Sequence, residues 1–245
     1  MSITYVYTYY DNPQMLQIQY QQWSSYPEHP REKVSVVLVD DASPKTPAAD
    51  VARPRRLPKL SIYRVQIDVP WHQDGARNLG AFKADEGWLF CSDIDHAMPA
   101  KSLEILLSTL PRYEHRRDGT FFVFPRLDAP EMKLVEKGPG ANIFAITRRA
   151  YWERMQGYDE DMCGQYGSDG DPRRRLLRSG SRKVVLESCP VVRYNEDVVA
   201  DANTTTWERR GPEQDKRRQS VVAKKRALGR EGKITHLDFE WSRAL

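Results

Sequence analysis

Asp93 and Asp95 stand one residue apart, where the apolar run Trp88-Leu89-Phe90-Cys91-Ser92 gives out. In extended backbone the side chains alternate, so both carboxylates point to one side. Held together away from water they repel, unless a positive charge lies between them. A divalent cation that favours oxygen ligands, Mg²⁺ or Mn²⁺, supplies that charge. The same aspartates also suit a plainer task. Met98-Pro99, followed by Leu103, Leu106, Leu107 and Leu110, reads as a helix start and its apolar stripe, and a nearby aspartate caps such a helix. On this stretch alone the two readings stand level.

The strand 88–92 needs partners, and the chain supplies them. Residues 3–8 read as a first strand. Val34 to Val39 is apolar on both parities, as a central parallel strand is, and ends in Asp40-Asp41-Ala42-Ser43. Further strands are expected at 60–65, 120–124, 142–146 and 184–186. Helices are expected after Asp11-Asn12-Pro13, from a cap at Asp74, over 99–110, from Thr147 through Tyr151, Trp152 and Met155, and from Asp171-Pro172 to Gly180. Strands alternating with helices predict an α/β fold, with a mainly parallel central sheet and flanking helices. Ligands of such sheets bind beyond the carboxyl ends of the strands. Asp11, Asp40, Asp41, Asp93 and Asp95 all fall at such ends. Helix capping explains any one of them more readily than all five.

At 245 residues the chain can hold one substantial core, taken as residues 1–200, with a basic extension, 201–245, packed on or flanking it. Its 40% hydrophobic and 29% charged residues describe an ordinary globular protein. No apolar run reaches membrane-spanning length. The N-terminus enters Ile3-Thr4-Tyr5-Val6-Tyr7 without a basic leader or an apolar signal region, so a cytoplasmic protein is expected. Cys91, Cys163 and Cys189 lack metal-ligand spacing and are expected to be reduced. The net charge of +4 is uneven, because Lys and Arg crowd the stretch between Trp207 and Arg230. Such a run is a solvated helix face or a holder of an anionic partner: DNA, an acidic glycan or a membrane surface. Few apolar residues accompany it, which argues against deep membrane insertion.

No Gly-x-x-x-x-Gly-Lys-Ser/Thr loop is present, and no Gly-x-Gly-x-x-Gly follows the first strand, which argues against P-loop and ordinary dinucleotide enzymes. Arg77 and Asn78 at a helix start, beside carboxylates and a cation, would suit a phosphorylated ligand. Taken together, Val36–Ser43, Gly75-Ala-Arg-Asn-Leu-Gly80 and Leu89–Asp95 resemble, in order and rough spacing, the GT-A fold, family 2-like glycosyltransferases. Gly157-Tyr-Asp-Glu-Asp161 and Tyr166-Gly-Ser-Asp-Gly-Asp-Pro-Arg-Arg-Arg-Leu176 resemble the galactosyltransferase-type acceptor segment of that group. The resemblance spans roughly residues 3–187.

It implies a metal-dependent transfer of a sugar from a nucleotide-diphosphate donor, UDP-linked, to a hydroxyl acceptor, with inversion. Thr8 and Tyr10 would line the nucleotide, and Asp40 or Asp41 would bond the base. Arg77 would approach the base or diphosphate, Asp93 the ribose or metal, and Asp95 the metal. Asp169 falls on the catalytic base. Ser168 stands where the group usually has Glu, so Asp171 and Asp161 remain competing acids, and Tyr158 or Tyr166 either stacks on a sugar or anchors its loop. Relatives often add a late histidine to the metal. Here Cys189 to Asn195 contains none, which leaves a missing ligand, water or His236. His96 is expected to bond backbone or substrate, and His72 to be an acceptor-site residue or a surface one, with the surface favoured. Two other functions stay open: a nucleotidyltransferase on a related sheet, and a non-catalytic nucleic-acid-binding protein using the basic tail.

Overall fold

A computed structural model describes residues 1–69, 72–135, 142–163, 168–202, 212–229, 234 and 236–245. The strands are β1 (Ile3–Tyr9), β2 (Val34–Asp40), β3 (Lys59–Val65), β4 (Trp88–Asp93), β5 (His96–Ala97), β6 (Thr120–Val123), β7 (Arg126–Asp128), β8 (Lys133–Val135), β9 (Phe144–Thr147), β10 (Arg182–Val185), β11 (Val191–Arg193) and β12 (Trp241–Arg243). The helices are α1 (Pro13–Ser24), α2 (Glu28–Glu32), α3 (Gln73–Lys83), α4 (Ala100–Thr109), α5 (Arg148–Glu153), α6 (Gly170–Arg178) and α7 (Pro212–Ala227), with 3₁₀ segments at Ala48–Asp50, Leu110–Gly119 and Glu160–Met162.

Among the described residues an eight-stranded sheet has the order β10-β6-β9-β4-β1-β2-β3-β12, and a smaller sheet the order β5-β11-β7-β8. Strands β4, β1, β2 and β3 run parallel, whereas β9 is antiparallel to both β4 and β6, and β12 antiparallel to β3. The sheet is therefore mixed, with its parallel half where the sequence shows strand–helix alternation. From β1 the chain winds outward through β2 and β3, then returns to place β4 on the other side of β1. That reversal makes the carboxyl ends of β1 and β4 the switch point of the sheet, the place where such folds bind ligands, and there Thr8 pairs in register with Asp93.

Alternation along the strands decides which helices cover which face. Tyr5, Tyr7, Trp88 and Phe90 pack with Trp23 of α1 and Leu103 and Leu106 of α4. Val6, Leu89 and Cys91, on the other parity, pack with Tyr151, Met155, Tyr158 and Leu176, while Val37 and Val39 meet Ala76 and Leu79 of α3. Asp93 continues the parity of Leu89 and Cys91, so it emerges on the α3 face.

The helix starts differ in detail from the sequence expectation. Thr147 caps α5 as expected, with its hydroxyl accepting from Ala150 N at 3.1 Å. At α1 the cap comes from far away: Asp201 accepts from Gln14 N at 2.7 Å and Met15 N at 2.9 Å. Asp74 does not cap α3; His72 takes that position and Asp74 is buried in the first turn. Helix α6 begins at Gly170, so Asp171-Pro172 lies just inside it, and Asp169 holds the N-cap position without a side-chain cap bond.

The segment after residue 200 is tied into the rest. Strand β12 extends the sheet edge, and Phe239 meets His72 edge-on at 4.4 Å. Lys225 of α7 is buried against Asp159 and lies 2.8 Å from Asp161. No helix among the described residues is long and apolar enough to cross a membrane.

Candidate active site

Helix α3 packs on β1 and β2 and sends Arg77, whose side chain is only 3% exposed, to the carboxyl end of β4. One guanidinium serves several acids. Nη2 donates to Asp93 at 2.5 Å and to Gln73 Oε1 at 3.0 Å, while Nη1 lies 3.2 Å from Asp74 and 3.5 Å from Asp169. The Tyr158 ring lies beneath it, 5.1 Å from ring centre to guanidinium carbon. Burial works against this charge, but Asp93, Tyr158, Asp169 and Asp74 outweigh it and hold Arg77 firmly protonated. Asp93 and Asp169 keep about a third of their side-chain surface, at 32% and 35%. Arg77 thus joins the end of β4 to the start of α6 and leaves one accessible carboxylate on each side.

Asp74 is sealed behind this pair. Burial pushes its carboxyl up to about 6, against the pull of Arg77 and a hydrogen bond from Ser168. An acid raised above its unfolded value of 3.8 contributes stability at low pH that is lost as pH rises towards 6. Asp74→Asn removes this slope. Relative to wild type, that variant should therefore gain about 1–3 kcal/mol between pH 4 and 7 in urea unfolding. A stability difference that does not change with pH would show that Asp74 titrates normally.

The strand ends at Asp93 and a turn begins at Ile94, so the alternation that would align Asp95 with Asp93 stops there. Asp95 accepts from His96 Nδ1 at 2.7 Å, and its other oxygen lies 3.4 Å from Arg193 Nε. Burial raises its carboxyl, but His96 and Arg193 outweigh that and hold it below the usual range. His96 therefore bonds its neighbour's carboxylate, and its backbone carbonyl accepts from Tyr7 and Gln19. His96 Nε2 is buried and has no hydrogen-bond partner among the described residues.

At the end of β2 the two aspartates divide their work. Asp40 is committed inward, to Ser43 N, Ala48 N and Arg64 Nη1 at 2.8, 2.8 and 2.9 Å. Asp41 lies 3.2 Å from His72 Nδ1, and His72 is buried, not at the surface as expected. Thr8 is buried beside Asp93 at the end of β1, and Tyr10 donates to Asp68 at 2.9 Å.

Beyond Arg77, Asn78 pins the segment 157–161: it donates to Tyr158 O and Glu160 Oε1 and accepts from Tyr151 OH and Tyr158 N. Tyr158 is buried and donates to Asn142 at 2.8 Å, so it anchors its loop. Asp161 faces Lys225, and Asp171 turns back to Arg174 of its own helix. Neither joins the Arg77 group. Tyr166 lies outside the described residues. His236 bonds the carbonyl of Gln156 at 2.7 Å and rests on Trp152. The sequence reading gave Arg193 no role and misjudged Asp74, read as a cap, and His72, read as a surface residue; their partners are Asp95, Arg77 and Asp41.

Whether this set fits a divalent cation can be judged from its bonds. Among the described residues no three His, Cys, Asp or Glu side chains converge as ligands. Asp95 is engaged on both oxygens and Asp93 on one, each with a cationic side chain. As arranged, the pair does not fit a metal.

No protein-family model and no curated protein sequence matches the chain. Solved structures do match in fold. TarS 1-349 of S. aureus aligns with TM-score 0.63 at 11% identity, over 82% of this chain and 63% of that one. The same protein in complex with UDP-GlcNAc aligns with TM-score 0.63 at 10% identity, over 80% and 59%. GalNAc-T7 with UDP, GalNAc and Mn²⁺ aligns with TM-score 0.61 at 14% identity, over 80% and 44%. This chain thus spans less than two thirds of each neighbour. These neighbours are glycosyltransferases, and the fold shared with them is the GT-A-like α/β fold.

Proposed function

We propose that this chain transfers a hexosyl group from a nucleotide-diphosphate sugar, UDP-linked, to a hydroxyl acceptor by a single inverting displacement. The observation that carries this is the Arg77 bridge between Asp93 and Asp169, at the carboxyl end of a sheet of GT-A type. Asp93 borders the donor crevice. Asp169, accessible and free of any cap bond, is the acceptor-side base. The acceptor oxygen attacks the anomeric carbon and its proton passes to Asp169. The bond from that carbon to the diphosphate breaks, with the electron pair leaving on the diphosphate oxygen.

With Asp40 committed inward, recognition of the base falls to Asp41, flanked by Thr8 and Tyr10. The exposed Lys216, Lys224 and Arg226 of α7 favour an anionic acceptor, a glycan or DNA. Mn²⁺ or Mg²⁺ would enter only if Asp95 gave up Arg193 and His96 in exchange. UDP-GlcNAc and Mn²⁺ in the neighbours support a nucleotide-sugar donor and leave that exchange as a real alternative.

A panel of nucleotide sugars, read by release of nucleotide and by melting temperature, tests the reading. A donor at a hundred times its dissociation constant adds about 2.7 kcal/mol of stability, a visible shift. Failure of every donor, together with tight DNA binding, would instead favour a nucleic-acid-binding protein.

A further inference from the structure

We infer that Arg193 meets the negative charge of the leaving diphosphate, and that Asp95 serves to hold this arginine and not a metal. This rests on the glycosyl-transfer reading above and assigns the group that acts on its donor.

Arg193 is built into the fold from both sides. Strand β11 pairs antiparallel with β5, setting Arg193 opposite His96, and parallel with β7, setting it beside Asp128. Its carbonyl accepts from Ala129 N at 2.9 Å, and the next residue, Tyr194, donates to the carbonyl of Asp95 at 2.8 Å. The backbone is thus fixed to the very turn that carries Asp95.

From there the side chain reaches Asp95 through Nε alone, at 3.4 Å. Among the described residues the two terminal nitrogens have no hydrogen-bond or ion-pair partner, and the side chain is 29% exposed. A guanidinium anchored by Nε with both Nη groups open presents the forked donor pair that matches phosphate oxygens. His96 holds the other oxygen of Asp95, so the acid cannot swing away from its arginine without breaking a second bond.

Charge makes the same case. Asp93 is matched by Arg77 and Asp95 by Arg193, with His96 beside it. A divalent cation arriving here finds one free oxygen on Asp93 and two guanidinium groups beside it, with both oxygens of Asp95 engaged. A diphosphate meets the open end of Arg193. In the reaction the guanidinium transfers no proton: its N–H groups hydrogen-bond the diphosphate oxygens as the bond from the anomeric carbon breaks and charge accumulates on them.

The test is calorimetric binding of UDP, GDP, ADP and CDP to wild type, Arg193→Lys and Arg193→Ala, in EDTA and in Mn²⁺, with Mn²⁺ binding itself followed by electron paramagnetic resonance. The expected result is that wild type binds one of these nucleotides in EDTA. Arg193→Ala should weaken that binding about 10–100-fold, the effect of losing hydrogen bonds to a charged group. Arg193→Lys, which keeps the charge but not the fork, should fall between them and covers the case in which the alanine variant does not fold. Arg193→Ala should also bind Mn²⁺ more tightly than wild type, since it frees an oxygen of Asp95. Nucleotide binding by wild type that requires Mn²⁺ and is unchanged in both variants would overturn the role of Arg193 while leaving glycosyl transfer standing. Binding of none of the four nucleotides under either condition would overturn both.

Discussion

Asp169→Asn should lower turnover about 10²–10⁴-fold, the usual contribution of a general base, with little change in donor affinity. Asparagine keeps the size of the side chain and an oxygen for Arg77 at 3.5 Å, but it takes up no proton at neutral pH. The geometry separates this acid from its two competitors. Asp171 is turned to Arg174 on the outside of α6, and Asp161 is paired with Lys225 of α7, so neither faces the Arg77 group. Asparagine at either position should leave turnover within a few-fold of wild type. Steady-state kinetics on all three variants, with donor binding measured separately, decides the matter. A silent Asp169→Asn beside an inactive Asp171→Asn would place the base on the other side of the helix start. Three silent variants would remove single displacement altogether.

The framework of the fold was legible because it is written in local pattern. Apolar runs on both parities mark β2 and β4, and Asp at the end of each run marks the carboxyl edge of the sheet. What each aspartate does was not legible, because its partner lies far off in sequence. Nothing near Asp40 announces that Arg64, Ala48 and Ser43 will consume it, so it and Asp41 read as equivalents. Asp93 and Asp95 looked like one pair because alternation was carried two residues past the end of the strand. The turn at Ile94 sends them to different cations, Arg77 on α3 and Arg193 on β11. His72 read as a surface residue because the ring that covers it, Phe239, comes from the far end of the chain. For the basic run the sequence left packed and flanking positions open, since an ion pair from Lys225 to Asp159 and Asp161 has no signature in composition.

Arg77→Met should cost about 3–5 kcal/mol of stability near neutral pH, as expected when one partner of a buried ion group is removed. Methionine fills much of the space and lies on Tyr158 as the guanidinium did, so the loss is chiefly electrostatic. Three carboxylates lose their shared cation, but unequally. Asp93 and Asp169 keep about a third of their surface and regain water, whereas Asp74 is sealed and cannot. The burden therefore falls on Asp74, and it depends on pH. With its carboxyl already up to about 6 beside Arg77, Asp74 moves higher once the arginine is gone, so it is protonated and harmless under mildly acidic conditions. Urea unfolding should show a loss at about pH 5 of less than half that at about pH 8, because the unpaired charge forms only as the proton leaves. Adding Asp74→Asn to Arg77→Met should recover at least about 1 kcal/mol at the higher pH, a coupling that a double-mutant cycle measures directly. Equal losses at both pH values and no recovery in the double variant would mean that Arg77 stabilises the fold by packing alone. In that case its bond to Asp93 at 2.5 Å would still position an acid at the carboxyl end of β4, but the three acids would not form one electrostatic unit.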